Sequence, residues 1–214
     1  YKKIPIDLDG VFTTSWHPSK NKIAFMGHKN DASDIYVIDL ESNKVVNITN
    51  DIFSESSPSW SLDGEIIYFT SDRGENANTN NMFEVDFSQT DIFQYSYKTN
   101  TVSQLTSTKY NENYPVAGSD GNLFYTADYN GITNIFKHNL DNNEAFPITN
   151  VITGVQQIDL DSNNNLVFSG FKKRGWDLYL MNGLNKASKK EIKPTQFYAN
   201  QDRSTDFEDL RTFT

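Results

Sequence analysis

The sequence contains no cysteine. Disulfides, thiolate metal sites and cysteine nucleophiles are excluded together. Histidine is scarce, with His17, His28 and His138 the whole supply among 214 residues. The strand assignment below puts His17 and His28 on opposite faces and His138 inside a strand, so the three are not expected to share a metal. No run of roughly 18 apolar residues exists, the length a membrane-crossing helix needs. Gly-x-Ser-x-Gly elbows, His-Glu-x-x-His pairs and phosphate-binding glycine loops are missing as well. Positive charge is short: 19 Lys and Arg against 28 Asp and Glu leave a net charge of −9, which argues against a nucleic-acid backbone as partner. The one dense basic run, Lys172-Lys173-Arg174, reads as a solvated loop. The chain opens on Tyr1 with no signal peptide, and is read as a processed or excised segment, so the missing targeting signal says nothing of compartment.

What is present is a polar globular composition, 36% hydrophobic and 22% charged, rich in the aromatic residues that favour strands. The stretch "SWSLDGEIIYFTSDRG" from Ser59 echoes "SWHPSKNKIAFMGHKN" from Ser15. Two sets of landmarks turn the echo into a repeat. The polar residue that opens each strand-like run, Asp34, Asp91, Asn134 and Asp177, recurs at steps of 57, 43 and 43 residues. The tripeptides "NIT", "QLT" and "PIT" end at Thr49, Thr106 and Thr149, again at steps of 57 and 43. Each of these threonines stands 11 residues before a tryptophan-like position, Trp60, Ala117 or Leu160. A period of about 43 residues is that of a four-stranded propeller blade.

Each unit parses into four strands with no sustained helical periodicity, so the chain reads as all-β. Strand A ends at Trp16, Trp60, Ala117 or Leu160. Strand B is Lys22–Met26, Ile66–Ser71, Leu123–Ala127 and Leu166–Ser169. Strand C is the "DIYVIDL" run, with Ile35, Ile92, Ile135 and Leu178 in one register, and strand D carries the "NIT" tripeptide. Asp63-Gly64 and Asp120-Gly121 between strands A and B predict tight primed turns. Blade four has Asn163-Asn164 there, and blade one is expected to use a longer turn through Asn21. Asp72 and Asp128 are expected to brace loops by accepting backbone N–H groups.

These features, "WSLDG", "YFTSDRG", "IYVIDL" and "QLT", resemble the TolB-like β-propeller repeat, a relative of the WD-type blade. The resemblance runs from about residue 12 to 197. It implies a β-propeller of four-stranded antiparallel blades at about 12–49, 57–106, 114–149 and 155–197, with residues 198–214 a polar tail or linker. Residues 2–8 read as a strand of a preceding or closing blade, because Ile4 aligns with Ile48, Leu105 and Ile148. Glu191–Phe197 is expected to supply strand D of blade four. Either Ile4–Leu8 closes the ring onto blade four or the four blades are an arc of a larger propeller; the arc is the expectation, with self-association where its end faces lack neighbours.

Blade two carries 13 extra residues between Asp72 and Asp91. Loops joining strands B to C and D to A emerge on one face, and long insertions in repeat proteins tend to mark the binding face. That face supplies the candidate partner-binding residues: Met82 and Phe83 of the insertion, Phe53 and Glu55, Tyr110 and Glu112, and Arg174 and Trp176. Loop aromatics also serve packing, and Met82, Phe83, Val85 and Phe87 are equally read as tucking the insertion against its blade. "DLDSN" at Asp159–Asn163 alternates oxygen ligands as a calcium loop does, but lacks the glycine and distal glutamate and falls on a turn. Asn47-Ile48-Thr49 is a formal glycosylation sequon that repeat membership already explains.

No catalytic residue, metal or cofactor is assigned. The reading is a non-catalytic interaction module whose partner is another protein or another domain of its parent. The resemblance implies a bacterial periplasmic or surface setting. An alternative is the accessory propeller of a peptidase or hydrolase whose catalytic domain lies elsewhere. A polysaccharide-degrading propeller would need acids, His or Arg at the central channel, where strand A offers mainly Ser, Trp, Val and Gln.

Overall fold

The structure, a computed structural model, describes residues 1, 3–74, 87–197 and 199. Its strands form antiparallel meanders arranged around a common axis as a four-blade β-propeller. Blade one holds β1 (Gly10–Trp16), β2 (Lys22–Lys29), β3 (Ala32–Asp39) and β4 (Lys44–Asn47). Blade two holds β5 (Glu55–Trp60), β6 (Ile66–Ser71), β7 (Asp91–Ser96) and β8 (Thr101–Gln104). Blade three holds β9 (Glu112–Ala117), β10 (Asn122–Ala127), β11 (Asn134–Asn139) and β12 (Glu144–Pro147). Blade four has only β13 (Val155–Leu160), β14 (Leu166–Lys172) and β15 (Gly175–Met181).

The recurrent tripeptide has a mechanical cause. Strand D stops short of each threonine, whose hydroxyl then turns inward and clamps strand C. Thr49 accepts from the Ile35 amide at 3.1 Å and donates to Asp34 at 3.0 Å. Thr106 accepts from the Ile92 amide and donates to Glu112, both at 2.8 Å. Thr149 accepts from the Ile135 amide at 2.8 Å and donates to Asn134 at 3.1 Å. A hydroxyl can do both at once, which neither Val nor Ala can. The expected loop braces are also there: Asp72 accepts from the Ser54 amide at 2.8 Å and Asp128 from the Asn111 amide at 2.9 Å.

The A–B turns differ from the primed type. Only the second residue is left-handed, Gly64 at φ 74° and Gly121 at φ 74°, and Asn164 takes the same role in blade four at φ 57°. The Gly64 amide donates to the Ser61 carbonyl at 3.0 Å, closing an ordinary turn that leads into the left-handed glycine. A Cβ at Gly64 would also lie 2.3 Å from the His17 ring, so space and conformation both demand glycine.

Every blade carries one aromatic pair across strands B and C, stacked face to face: Phe25–Tyr36 at 5.7 Å, Phe69–Phe93 at 6.2 Å, Tyr125–Phe136 at 5.8 Å and Phe168–Tyr179 at 5.4 Å between ring centres. The pairs point toward the preceding blade. Phe69 and Phe93 meet Ala24, Ile35 and Val37 of blade one. Tyr125 and Phe136 meet Tyr68 and Ile92 of blade two. Phe168 meets Phe124, Ile135 and Ile148 of blade three. Burial of these faces, which a lone blade leaves in water, is the main force holding the blades together. Trp60 bridges blades too, donating its indole N–H to the Ser15 carbonyl at 3.2 Å and stacking on Tyr97. Trp16 holds the same register against β2 but, with no other described blade packed on it, is 63% exposed.

The two ends depart from expectation. Residues 3–9 form no strand. Ile4, Ile6 and Leu8 instead lie on Phe25, Tyr36 and Ile38, covering the outer face of blade one rather than joining blade four. Nor does Glu191–Phe197 supply a fourth strand to blade four. That stretch crosses blade three: just before it the Lys190 amide donates to the Pro147 carbonyl at 2.8 Å, and within it Asn130 donates to the Lys193 carbonyl at 3.2 Å. The free edge of β12 and the Asn130 loop outcompete β15 for this segment's backbone. Leu178 therefore sits in an edge strand, although its pairing with Ser169 keeps the register of the other blades. Among the described residues no apolar cluster joins blade four to blade one, and Leu178 and Leu180 are 77% and 66% exposed.

Candidate functional site

Two concave features stand out. The first is the central channel, a cavity of about 270 Å³ to which all four inner strands contribute, among them Thr13, Ser57, Tyr114 and Gln157. These residues occupy one repeat position, and each inner strand is bulged there. Ser57, Tyr114 and Gln157 have φ of 53°, 54° and 50°. A bulge with a left-handed residue bends a strand sharply, which lets four strands curve around a narrow axis. The wall mixes hydroxyl and amide side chains with Pro58, Pro115, Val116 and Ile158, and Asp159 is its one carboxylate among the described residues, without the clustered acids, His or Arg that glycan cleavage would use.

The second feature lies on the face shared by the D–A and B–C loops, and comparing blades shows how it arises. In blade two the B–C loop sends Arg73 inward. Its guanidinium lies 5.0 Å from the Phe53 ring centre and over the stacked Phe69 and Phe93. Two carboxylates neutralise it, Glu55 at 2.6 Å and Asp51 at 3.0 Å. Ser71 also donates to Glu55, at 3.0 Å. Burial lifts Glu55 to about 7 despite the adjacent guanidinium. In blade three Tyr129 takes the place of Arg73, leaning on Phe136 and on Tyr110, whose ring centre is 4.3 Å away. Glu112 is held by Thr106 and Thr108 at 2.8 and 2.7 Å, and loss of water pushes it up to about 8, with Asp91 adding to the rise. Blade one keeps a simpler version, a Lys29–Asp7 ion pair at 2.9 Å.

Blade four lacks every one of these fillings. Thr153 stands where Phe53 and Tyr110 stand, Val155 where Glu55 and Glu112 stand, and Val151 where Asp51 stands. Lys172, the counterpart of Arg73, is exposed. The result is an apolar cavity of about 350 Å³ whose lining includes Phe168, Tyr179, Val151 and Val155, with Lys172 and Lys173 beside it. Phe171 and Trp176 close the hairpin tip in an edge-to-face contact at 5.5 Å.

Of the residues singled out from sequence, Arg174 and Trp176 lie exposed on this hairpin. Tyr110 is half-buried against Tyr129. Phe53, Glu55 and Glu112 are corrected: they are 2%, 1% and 2% exposed and work inside the fold as the fillings just described. Met82 and Phe83 lie outside the described residues. Sequence reasoning passed over Thr153 and read Lys172 and Lys173 as part of a solvated loop, although aligning the three D–A loops would have exposed the missing aromatic at position 153.

Residues 8–100 match the family model of the TolB beta propeller domain. No protein of curated function matches the sequence. Among solved structures, TolB from Acinetobacter baumannii is similar over 87% of this chain and 44% of its own, with 19% identity and a TM-score of 0.65. A putative TolB from Agrobacterium tumefaciens is similar over 79% of this chain and 60% of its own, with 14% identity and a TM-score of 0.66. A puromycin-hydrolyzing peptidase from Mycobacterium tuberculosis is similar over 79% of this chain and 26% of its own, with 13% identity and a TM-score of 0.60. The chain thus spans less than two thirds of the length of any of the three. The family match covers residues 8–100, and the described chain is a four-blade β-propeller similar in fold to these TolB structures.

Proposed function

We propose that this propeller is a non-catalytic docking module, binding another protein or another domain of its parent on the face formed by the D–A and B–C loops, in a bacterial periplasmic or cell-surface setting. The observation that carries this reading is the blade-four hairpin, where Trp176 is 51% exposed beside three consecutive cations on a chain of net charge −9. Exposed aromatics next to Arg and Lys are what protein interfaces favour. Its setting is supported by the likeness to TolB structures. The likeness to a puromycin-hydrolyzing peptidase supports a second reading, an accessory propeller that gates a hydrolase; the polar channel would then face the substrate. Photo-crosslinking tests the choice. A photoreactive amino acid at Trp176 should yield discrete protein adducts in an envelope extract, and one at Ser19, on the opposite face, should not. Equal labelling from both positions overturns the docking face. Hydrolysis of peptide or glycan by the purified chain, lost on substituting one of its own residues, overturns the non-catalytic reading.

A further inference from the structure

Blade two holds within one chain a complete set: an aromatic ring, a cation and two carboxylates. Blade four retains only part of it. The stacked pair Phe168–Tyr179 is in place, as Phe69–Phe93 is beneath Arg73. The cation is retained as Lys172, but Asp51, Glu55 and Phe53 have become Val151, Val155 and Thr153. The same position carries an ion pair in blades one and two, Lys29–Asp7 and Arg73–Asp51. In blade four the acid is gone while a second cation, Lys173, stands at the cavity.

From this we infer that the blade-four cavity receives an aromatic side chain of a partner protein, presented on a segment with carboxylates on either side. This rests on the docking reading above and names the chemistry of its occupant. The ring enters the space left by Thr153 and packs against Phe168 and Tyr179. The flanking carboxylates meet Lys172 and Lys173, restoring from outside the acids that blade two has from within. An arginine side chain is disfavoured in the same space. The two carboxylates that neutralise Arg73 are replaced by valines, and Lys172, Lys173 and Arg174 repel a cation. A cavity of about 350 Å³ falls within the size range of small ligand sites and holds one aromatic ring with room for its backbone.

The test is calorimetric titration of the purified chain with a short synthetic peptide of sequence Ser-Asp-Phe-Glu-Asp-Ser, blocked at both ends. The wild type is expected to bind it at low salt with a dissociation constant on the order of 10–100 µM, as suits one buried ring and two screened charges. Thr153→Phe installs in cis the plug of blade two and should weaken binding at least tenfold. Lys172→Ala with Lys173→Ala, both at exposed positions, should weaken it by a similar factor and remove most of its salt dependence. The peptide with alanine for phenylalanine should not bind. Undiminished binding by the Thr153→Phe protein, or equal binding of the alanine peptide, overturns the pocket and leaves only a charge contact. The chain itself carries Asp206-Phe207-Glu208-Asp209, so the titration is repeated with Phe207→Ala, and no binding of the phenylalanine peptide to either protein overturns the proposed occupant. If crosslinks from Trp176 persist in that case, the docking reading still stands, so the two failures are separable.

Discussion

Glu112 is 2% exposed and has a hydroxyl hydrogen bond on each carboxyl oxygen. Burial raises its proton affinity to about 8, and burial likewise lifts Glu55 to about 7. The unfolded chain releases these protons near the ordinary carboxylate value, about 4.3, whereas the folded chain keeps them. Between those limits the folded state binds more protons, so stability falls as pH rises, and the loss is complete only above about 8. The stability contributed by protonated Glu112 is therefore present at pH 4 and gone at pH 9. Glu112→Gln keeps the shape and one accepted hydroxyl bond, its NH2 donating to the other hydroxyl, and cannot ionise. Urea unfolding at pH 5 and pH 8.5 should show the wild type weaker at the higher pH and the variant markedly less sensitive. An unchanged pH slope in the variant would show that Glu112 ionises freely in the fold. The sequence hid this residue's role because its partners Thr106 and Asp91 belong to the preceding blade. A carboxylate at the start of a strand looks solvated until the threonine clamp beside it is recognised as buried.

At the scale of the element, the N-terminal segment is the informative case. Ile4, Ile6 and Leu8 cover Phe25, Tyr36 and Ile38, the face that in other blades meets a neighbour. The segment does a blade's covering with three half-buried side chains. Ile6→Asp places a charge against that face and should lower unfolding stability by about 1–2 kcal/mol, read from a denaturant midpoint. A change below about 0.3 kcal/mol would mean the segment lies there without holding anything. Strand order, strand register and the two aspartate braces were legible in the sequence, because Trp60, Thr49, Thr106 and Asp72 recur at fixed spacing and each spacing fixes a face. The paths of both ends were not. Ile4 aligns with Ile48 as a strand residue would, yet whether a segment pairs by backbone or packs by side chain depends on which free edge or face lies nearer. Local pattern does not encode that competition. The same limit misplaced Glu191–Phe197, whose backbone partners Asn150 and Asn130 lie more than 40 residues away.

For the whole molecule, the exposed apolar side of β15 is the dominant surface feature among the described residues. Trp176, Leu178 and Leu180 alternate along β15 onto one side, and all three are exposed. Three large apolar side chains on an edge strand make an adhesive surface. Sedimentation velocity on the purified chain should show concentration-dependent association. Leu178→Lys with Leu180→Lys should suppress it while shifting the unfolding midpoint by less than about 0.5 kcal/mol, since neither side chain is buried. Persistent association in that double variant would place the adhesive surface elsewhere. Because Trp176 also belongs to the loop face, it is left unchanged in this test.

The covering of blade one also sets an order of events during synthesis. On a ribosome, Ile4–Leu8 emerges before the aromatic pair it will shelter, so blade one meets a lining that is already there. Its opposite face waits for Phe93, roughly 55 residues after Val37, which at about 5–20 residues per second is a delay of ~3–11 s. Every later blade repeats the pattern, arriving with the aromatic pair that closes the blade before it and exposing a new face in turn. Assembly thus has a built-in direction, with hydrophobic surface handed forward along the nascent chain and never more than about one blade face uncovered at a time.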